Sequence, residues 1–232
     1  LAAGKHVLCE KPYSRRPAEV AAAFDAADRA GLVLSEAFMW RHHPQARKAV
    51  DLVAEVGELQ TVRATFSFVI ASQDDIRLRP DLDGGSLMDV GCYCVSGARL
   101  LVGQEPDLVY GMQVTGPSGV DVRFTGLLHF PDGPIAEFTC GFEADHRGLE
   151  AIGSEGSFRF IDPWQSHPAT LVQHGTEVHF DDADPYQLEL EDMGRAIRGG
   201  RPPLLGRSDA LGQARAIDAL YRSAAAGTAI RL

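Results

Sequence analysis

The strongest constraint on this chain is a strand, helix, strand succession at its start. His6-Val7-Leu8-Cys9 is a short apolar run of the kind that fills a buried strand. Pro17 opens a helical pattern that runs to about Ala30, with Val20, Phe24 and Ala27 on one face and Gly31 as its stop. Leu32-Val33-Leu34-Ser35-Glu36 is a second strand. This spacing predicts two parallel strands joined by a right-handed crossover. In open parallel sheets, ligands bind beyond the carboxyl ends of the strands. Those ends are Glu10-Lys11-Pro12 and the segment from Ala37 to His43.

The pattern then changes. Pro44 starts a helix to about Val56, with Ala46, Val50 and Val53 expected inward and Gly57 ending it. From Leu59 the period is two: Val62, Ala64, Phe66 and Phe68 alternate with Thr61, Arg63, Thr65 and Ser67, which predicts a half-buried strand. Asp74 to Asp83 reads as a loop. Five further strands are expected over 108–115, 120–130, 135–142, 148–153 and 157–161, with short turns that indicate an antiparallel meander. Two shorter strands, near Ala169 to Gln173 and Glu177 to Phe180, extend it. The chain closes with helices over about 186–198, with Leu190, Met193 and Ile197 inward, and 208–225, with Leu211, Ala214, Ile217 and Tyr221 inward. Ser208 is read as the N-cap of the last helix and Gly227 as its stop. The expected architecture is a partial α/β piece over 1–36, followed by an α+β domain over 37–232. That domain has a large, mostly antiparallel sheet with helices on one face. The other sheet face suits a homo-oligomer contact.

Gly84-Gly85-Ser86-Leu87-Met88-Asp89-Val90-Gly91-Cys92-Tyr93 carries the most chemistry. A glycine pair leads into a helical pattern with Leu87, Gly91, Cys94, Ala98 and Leu101 on its buried side, ending at Gly103. Asp89 and Tyr93 stand one helical turn apart and project from the same side, as a carboxylate and phenol able to handle a proton. The same residues also suit a purely structural role, an Asp favoured by the helix dipole and a Tyr packed at its edge.

Charge and composition exclude several classes. The 232 residues carry a net charge of −10. They hold no cluster of Lys and Arg of the kind that phosphate backbones or anionic membrane surfaces require. No apolar run is long enough to cross a bilayer. Cys9, Cys92, Cys94 and Cys140 form no zinc-type spacing, so reduced thiols in a cytoplasmic protein, with no metal, are expected. The opening Leu1-Ala2-Ala3-Gly4 reads as a helix tail with a glycine cap, and the chain is expected to begin inside a domain.

Among other polar residues, Lys11 at a strand end suits a hydrogen bond to substrate oxygen, with a pKa lowered by burial and a cis Lys11-Pro12 bond to aim it. Arg41, in Trp40-Arg41-His42-His43-Pro44, is either an ion-pair partner or a ligand contact, and its adjacent histidines read as solvated. Arg77 is a candidate to line a pocket, and Trp164 a candidate aromatic wall. His129, His146, His167, His174 and His179 lack partner spacing and read as structural.

Three segments together resemble one family. Gly4-Lys5-His6-Val7-Leu8-Cys9-Glu10-Lys11-Pro12 resembles the EKP segment of the Gfo/Idh/MocA oxidoreductases. Glu36-Ala37-Phe38-Met39-Trp40-Arg41-His42-His43-Pro44 is similar to the following segment of their dihydrodiol and sugar dehydrogenase branch. Gly84 to Tyr93 resembles their GGGxLxDxGxY helix. The resemblance implies a hydride transfer between NAD or NADP and a sugar, polyol or related hydroxy or carbonyl compound, as a small-molecule substrate. It implies Lys11, Asp89 and Tyr93 as the catalytic set, with Lys11 lowering the pKa of the Tyr93 phenol so that it can take a proton. It implies Glu10, Lys11, Pro12 and Arg41 at the cofactor, and Trp40, Arg77 and Trp164 at the substrate. It also implies that residues 1–36 are the remnant of a Rossmann-type dinucleotide-binding domain and that 37–232 form the substrate-binding and dimerisation domain. No GxGxxG turn occurs, so these residues alone are expected to bind NAD(P) poorly, and the edge at Val7-Leu8-Cys9 is expected to be unpaired. Two other readings remain open, an NAD-assisted glycoside hydrolase of the same fold and a non-catalytic partner-binding module.

Overall fold

The carboxyl ends of two short parallel strands set the position of everything that follows. In the computed structural model, which describes residues 1–165, 170–180 and 183–232, β1 (Val7–Glu10) pairs in parallel with β2 (Leu34–Ala37), Val7 opposite Leu34 and Glu10 opposite Ala37. α1 (Pro17–Ala30) joins them. Pro17 occupies its first turn, and Gly31 ends it at φ 63°, a left-handed conformation that glycine adopts without strain. Val20, Phe24 and Ala27 are buried and pack with Leu34 against Ala210 and Ala214 of the last helix. This pair is a sheet of its own, so the outer edge of β1 has no strand partner among the described residues.

α2 (Pro44–Val53) follows, with His43 as its N-cap, the imidazole Nδ1 accepting the Gln45 N–H at 3.2 Å. Its inward face is Gln45, Ala46, Ala49 and Leu52. Val50, expected inward, is instead 45% exposed. His42 and His43 are buried, not solvated. The expected loop over 74–83 contains two tight single turns, Ile76–Leu78 and Pro80–Leu82.

The second sheet has nine strands. They are β3 (Leu59–Ser67), β4 (Leu108–Thr115), β5 (Asp121–His129), β6 (Ile135–Gly141), β7 (His146–Gly153), β8 (Ser157–Phe160), β9 (Thr170–Gln173), β10 (Thr176–His179) and β11 (Ile230–Arg231). Their order is β10-β9-β8-β7-β3-β6-β5-β4-β11. The meander expected from the turns is interrupted, since β3 enters between β6 and β7, parallel to β6 and antiparallel to β7. Nothing local to β6 or β7 signals this, because the partner lies far upstream. β11, too short for a periodic signal, extends the edge at β4. The strand expected from Ala169 begins at Thr170 among the described residues, and His167 lies outside them.

Three helices complete the fold, α3 (Cys92–Val102), α4 (Pro185–Ile197) and α5 (Arg207–Ala226). The main core fills the space between α3, α5 and one sheet face, with Val62, Ala64, Phe124, Leu128, Phe138 and Leu149 from the strands and Leu87, Val95, Ile217 and Leu220 from the helices. Burying side chains of this size is the dominant favourable contribution, about 1.5–3 kcal/mol each. α5 begins at Arg207 with Gly206 as its N-cap, not the expected Ser208, and Gly227 ends it at φ 67°. α4 is rotated from expectation. Met193 is buried, but Leu190 and Ile197 are 63% and 42% exposed while Glu189 and Asp192 point inward. No helix among the described residues is long and apolar enough to cross a membrane.

Candidate active site

Lys11 follows the last residue of β1 directly, and its peptide bond to Pro12 is cis. Opposite it, Leu87–Gly91 forms a single wide turn that runs straight into α3. Such turns place backbone and side chains where a regular helix would not. The turn is anchored from β5. The buried Asp121 carboxylate accepts Ser86 Oγ–H and Leu87 N–H, both at 2.7 Å, and the Tyr221 hydroxyl at 2.9 Å. Gly85, at φ 129°, passes so close that a Cβ there would collide with that carboxylate.

Asp89 and Tyr93 emerge from this wide turn and the helix after it on one side, and Lys11 meets both. Its Nζ donates to the Asp89 carbonyl at 2.6 Å and to Asp89 Oδ1 at 3.1 Å. The ammonium also stands 5.0 Å from the Tyr93 ring centroid, within cation–π range. Asp89 Oδ2 accepts Arg77 Nε at 2.7 Å. Asp75 braces Arg77 in turn, with Oδ1 accepting the Arg77 N–H at 2.9 Å. The Tyr93 ring sits edge-on to Phe38, Phe66 and Trp164, at centroid distances of 4.8, 5.2 and 5.9 Å.

The electrostatics depart from expectation in two places. Burial pushes the Tyr93 phenol above its ordinary range, with neighbouring negative charge adding to the effect. The phenol therefore holds its proton near neutrality and is a donor, not a ready base. Burial pulls Lys11 down, but the nearby Cys92 sulfur and the Asp89 carboxylate outweigh it, and the net shift is upward. The amine is a standing cation and not a near-neutral base.

A cavity of about 580 Å³ opens beside this cluster, a size typical of small-molecule sites. Glu10, Lys11, Arg77, Asp89 and Tyr93 line it. A second cavity of about 400 Å³ on the other side of Lys11 shares Glu10, Lys11, Arg77 and Asp89 and adds Pro12 and the Gly84-Gly85 pair. Three of the residues singled out from the sequence are elsewhere. Arg41 pairs with Asp209 at 3.4 Å and Ser96 at 3.2 Å, beside a separate cavity with Arg99 and Glu105. Trp40 is buried and packs edge-on to Trp164 at 5.2 Å. Trp164 is also buried, its indole N–H donating to the Thr65 carbonyl at 2.7 Å, and it backs the Tyr93 ring from behind.

Sequence reasoning missed Phe66, Phe68, Arg147, Tyr186 and Glu189, which complete the larger cavity. Phe66 and Phe68 carried a signal, lying at the end of the period-two run that points toward the helix layer. Glu189 carried none, because the helix pattern there favoured Leu190 as the inward residue. Among the described residues no cluster of His, Cys, Asp and Glu is arranged to hold a metal.

Comparison with known proteins agrees with this geometry. Residues 44–159 match the family model described as the GFO/IDH/MocA C-terminal domain. D-xylose 1-dehydrogenase (NADP(+)) 2 of Haloferax volcanii is 40% identical over 240 residues, spanning 99% of this chain and 74% of that protein. The aldose-aldose oxidoreductase of Caulobacter crescentus, solved with glycerol, superposes with a TM-score of 0.91 at 29% identity, over 100% of this chain and 73% of the other. A 3-ketoreductase from Actinomadura kijaniata, solved with NADP and TDP-benzene, superposes at 0.88 and 29% identity, over 96% and 72%. With the lysine, aspartate and tyrosine of the three motifs gathered at one cavity, this chain belongs to the Gfo/Idh/MocA family of NAD(P)-dependent oxidoreductases that act on sugar-like substrates.

Proposed function

We propose that the cavity beside Lys11, Asp89 and Tyr93 is where a sugar or polyol carbon is oxidised or its carbonyl reduced, and that NADP is the cofactor, the one named for the Haloferax volcanii dehydrogenase and bound in the Actinomadura kijaniata structure. The observation that carries this reading is the convergence of an ammonium, a carboxylate and a phenol from positions 11, 89 and 93 on one cavity wall. The substrate oxygen sits within reach of the Lys11 ammonium and the Tyr93 hydroxyl. In reduction, Tyr93 gives its proton to the oxygen as negative charge develops there, and Lys11 stabilises that charge. In oxidation the same proton returns to a phenol that has first released its own, a step that alkaline conditions favour. Asp89 is tied at both carboxylate oxygens, so its task is to hold Lys11 and Arg77 in place.

The nicotinamide, when bound, takes up or supplies the hydride. Glu10, Lys11 and Pro12 at the carboxyl end of β1, with Ala37 at that of β2, form the edge that suits its ring. The donor set there fits the ring end of a dinucleotide. Among the described residues, no glycine turn at a helix start is placed to cradle a pyrophosphate. Weak binding of NADP by these 232 residues is therefore the proposed behaviour.

We divide the chain near residue 36, with β1, α1 and β2 on the cofactor side. The uncovered sheet face carries Met112, Val114, Leu127 and Ile135 at 61%, 41%, 45% and 46% exposure. That supports a homo-oligomer through this face. Four unpaired cysteines suit the reducing cytoplasm. The test of the activity is turnover, followed by NADPH absorbance, with a panel of neutral aldoses and the Lys11→Met variant. A variant with normal turnover would remove the assignment.

A further inference from the structure

Glu189 stands out among the cavity residues. It lies on α4, is 5% exposed, and lines the same cavity as Lys11, Asp89 and Tyr93. The Phe38 N–H hydrogen-bonds its carboxyl group. Its Oε1 is buried and has no hydrogen-bond partner among the described residues. An unpaired buried carboxyl oxygen is expensive and calls for a partner, and one that lines a cavity is placed to take it from a ligand. The neighbouring positions sharpen the point, since α4 turns Leu190 and Ile197 to solvent while it buries Glu189.

Lys11, Arg77 and Arg147 line the same cavity. Arg77 is held by Asp75 and Asp89. Arg147 pairs with Asp162 at 2.8 Å and Asp145 at 3.4 Å. Glu10 adds a further carboxylate to the lining. Lys11 is bound to Asp89 at 3.1 Å, and Arg147 Nε is a buried donor with no hydrogen-bond partner among the described residues. The apolar surface comes from Phe66, Phe68, Tyr93 and Tyr186. Ring faces beside a hydroxyl-accepting carboxylate are the surface a neutral sugar presents to, with its C–H face on the rings and its hydroxyls on the acid.

Resting on the activity proposed above, we infer that Glu189 is the hydroxyl anchor of the substrate cavity, its unpartnered Oε1 accepting a hydrogen bond from a sugar hydroxyl. Glu189 grips the substrate away from the reacting carbon, so it sets affinity and not the chemical step.

The test is calorimetric titration of the wild-type chain, Glu189→Gln and Glu189→Asp with D-xylose and D-glucose, alone and with NADPH. The Gln variant is expected to bind the aldoses about tenfold more weakly, because its amide keeps one acceptor oxygen where the carboxyl has two. Asp, which keeps both carboxyl oxygens, recovers part of the aldose affinity. In turnover the change falls on KM and not on kcat. Unchanged aldose affinity in a folded Gln variant overturns the inference. So does a wild type that binds neither aldose, or a folded Asp variant as weak as Gln. The activity assignment is read separately, because the Lys11→Met result does not depend on which residue anchors the hydroxyls.

Discussion

Lys11 and Asp89 meet twice, since one ammonium donates to both the backbone carbonyl and the carboxylate of the same residue, at 2.6 and 3.1 Å. The backbone contact survives any change of the Asp89 side chain. The amine thus reports where the wide turn at Leu87–Gly91 sits as well as what it carries.

Replacing Lys11 with Met leaves the Asp89–Arg77 pair intact. Turnover is expected to fall by about 10²–10⁴, the usual size of a lost acid–base group. The far-ultraviolet circular dichroism should not change. A fall confined to KM would show that the amine only binds.

Tyr93→Phe keeps the ring among Phe38, Phe66 and Trp164 and removes only the hydroxyl. Stability should move by about 1 kcal/mol or less, while reduction slows by about 10²–10⁴. The phenol's raised pKa gives a direction for pH as well. In the wild type, reduction should stay level across the neutral range and oxidation should climb into the alkaline range. An oxidation rate that levels off near neutrality would mean another group takes the proton.

Glu36 gives a stability prediction. Burial pushes its carboxyl up to about 7, against the opposing hydrogen bond from the Tyr13 N–H at 3.0 Å. Its folded pKa is above its unfolded value, so its contribution is fully present at pH 4 and is lost as pH rises through about 7. The loss amounts to about 3 kcal/mol by pH 8. Glu36→Gln should reduce the pH dependence of the urea midpoint and raise that midpoint at pH 8. An unaltered profile would show that the carboxyl is not the group responsible.

Asp121→Ala removes the acceptor for Ser86, Leu87 and Tyr221 at once. A cost of about 2–4 kcal/mol is expected in denaturant unfolding, since three donors lose a buried partner. If the loss is under about 0.5 kcal/mol, water replaces the carboxylate and the wide turn does not depend on it.

Leu127→Asp on the uncovered sheet face should shift the particle to monomer in light scattering and leave aldose affinity unchanged, because that face lies opposite the helix layer. A wild type that is already monomeric would end the oligomer proposal.

Much of the fold was legible because its signals are local. Pro17 and Gly31 bound α1 where the sequence places them, and Gly227 ends α5. The strand period from Val62 to Phe66 put the buried residues on the correct face. What stayed hidden is non-local. No spacing shows that position 11 meets position 89, and only the family resemblance suggested it. Arg41 illustrates the reverse. Its place in a motif pointed to a ligand, yet Asp209, far along the chain, holds it. Glu189 and Leu190 were exchanged in the reading of α4 because an amphipathic pattern assumes that burial means apolar. That assumption fails where a helix supplies a polar group to a cavity.

The placement of β3 has a consequence for assembly order. It contacts β6 on one side and β7 on the other, so the two halves of the nine-stranded sheet are stitched together by a strand made long before either. The hairpins downstream pair locally, whereas joining the two halves requires contacts between strands far apart in the chain, the kind of pairing that slows folding in general. Until then β6 and β7 stand as open templates for a neighbouring chain.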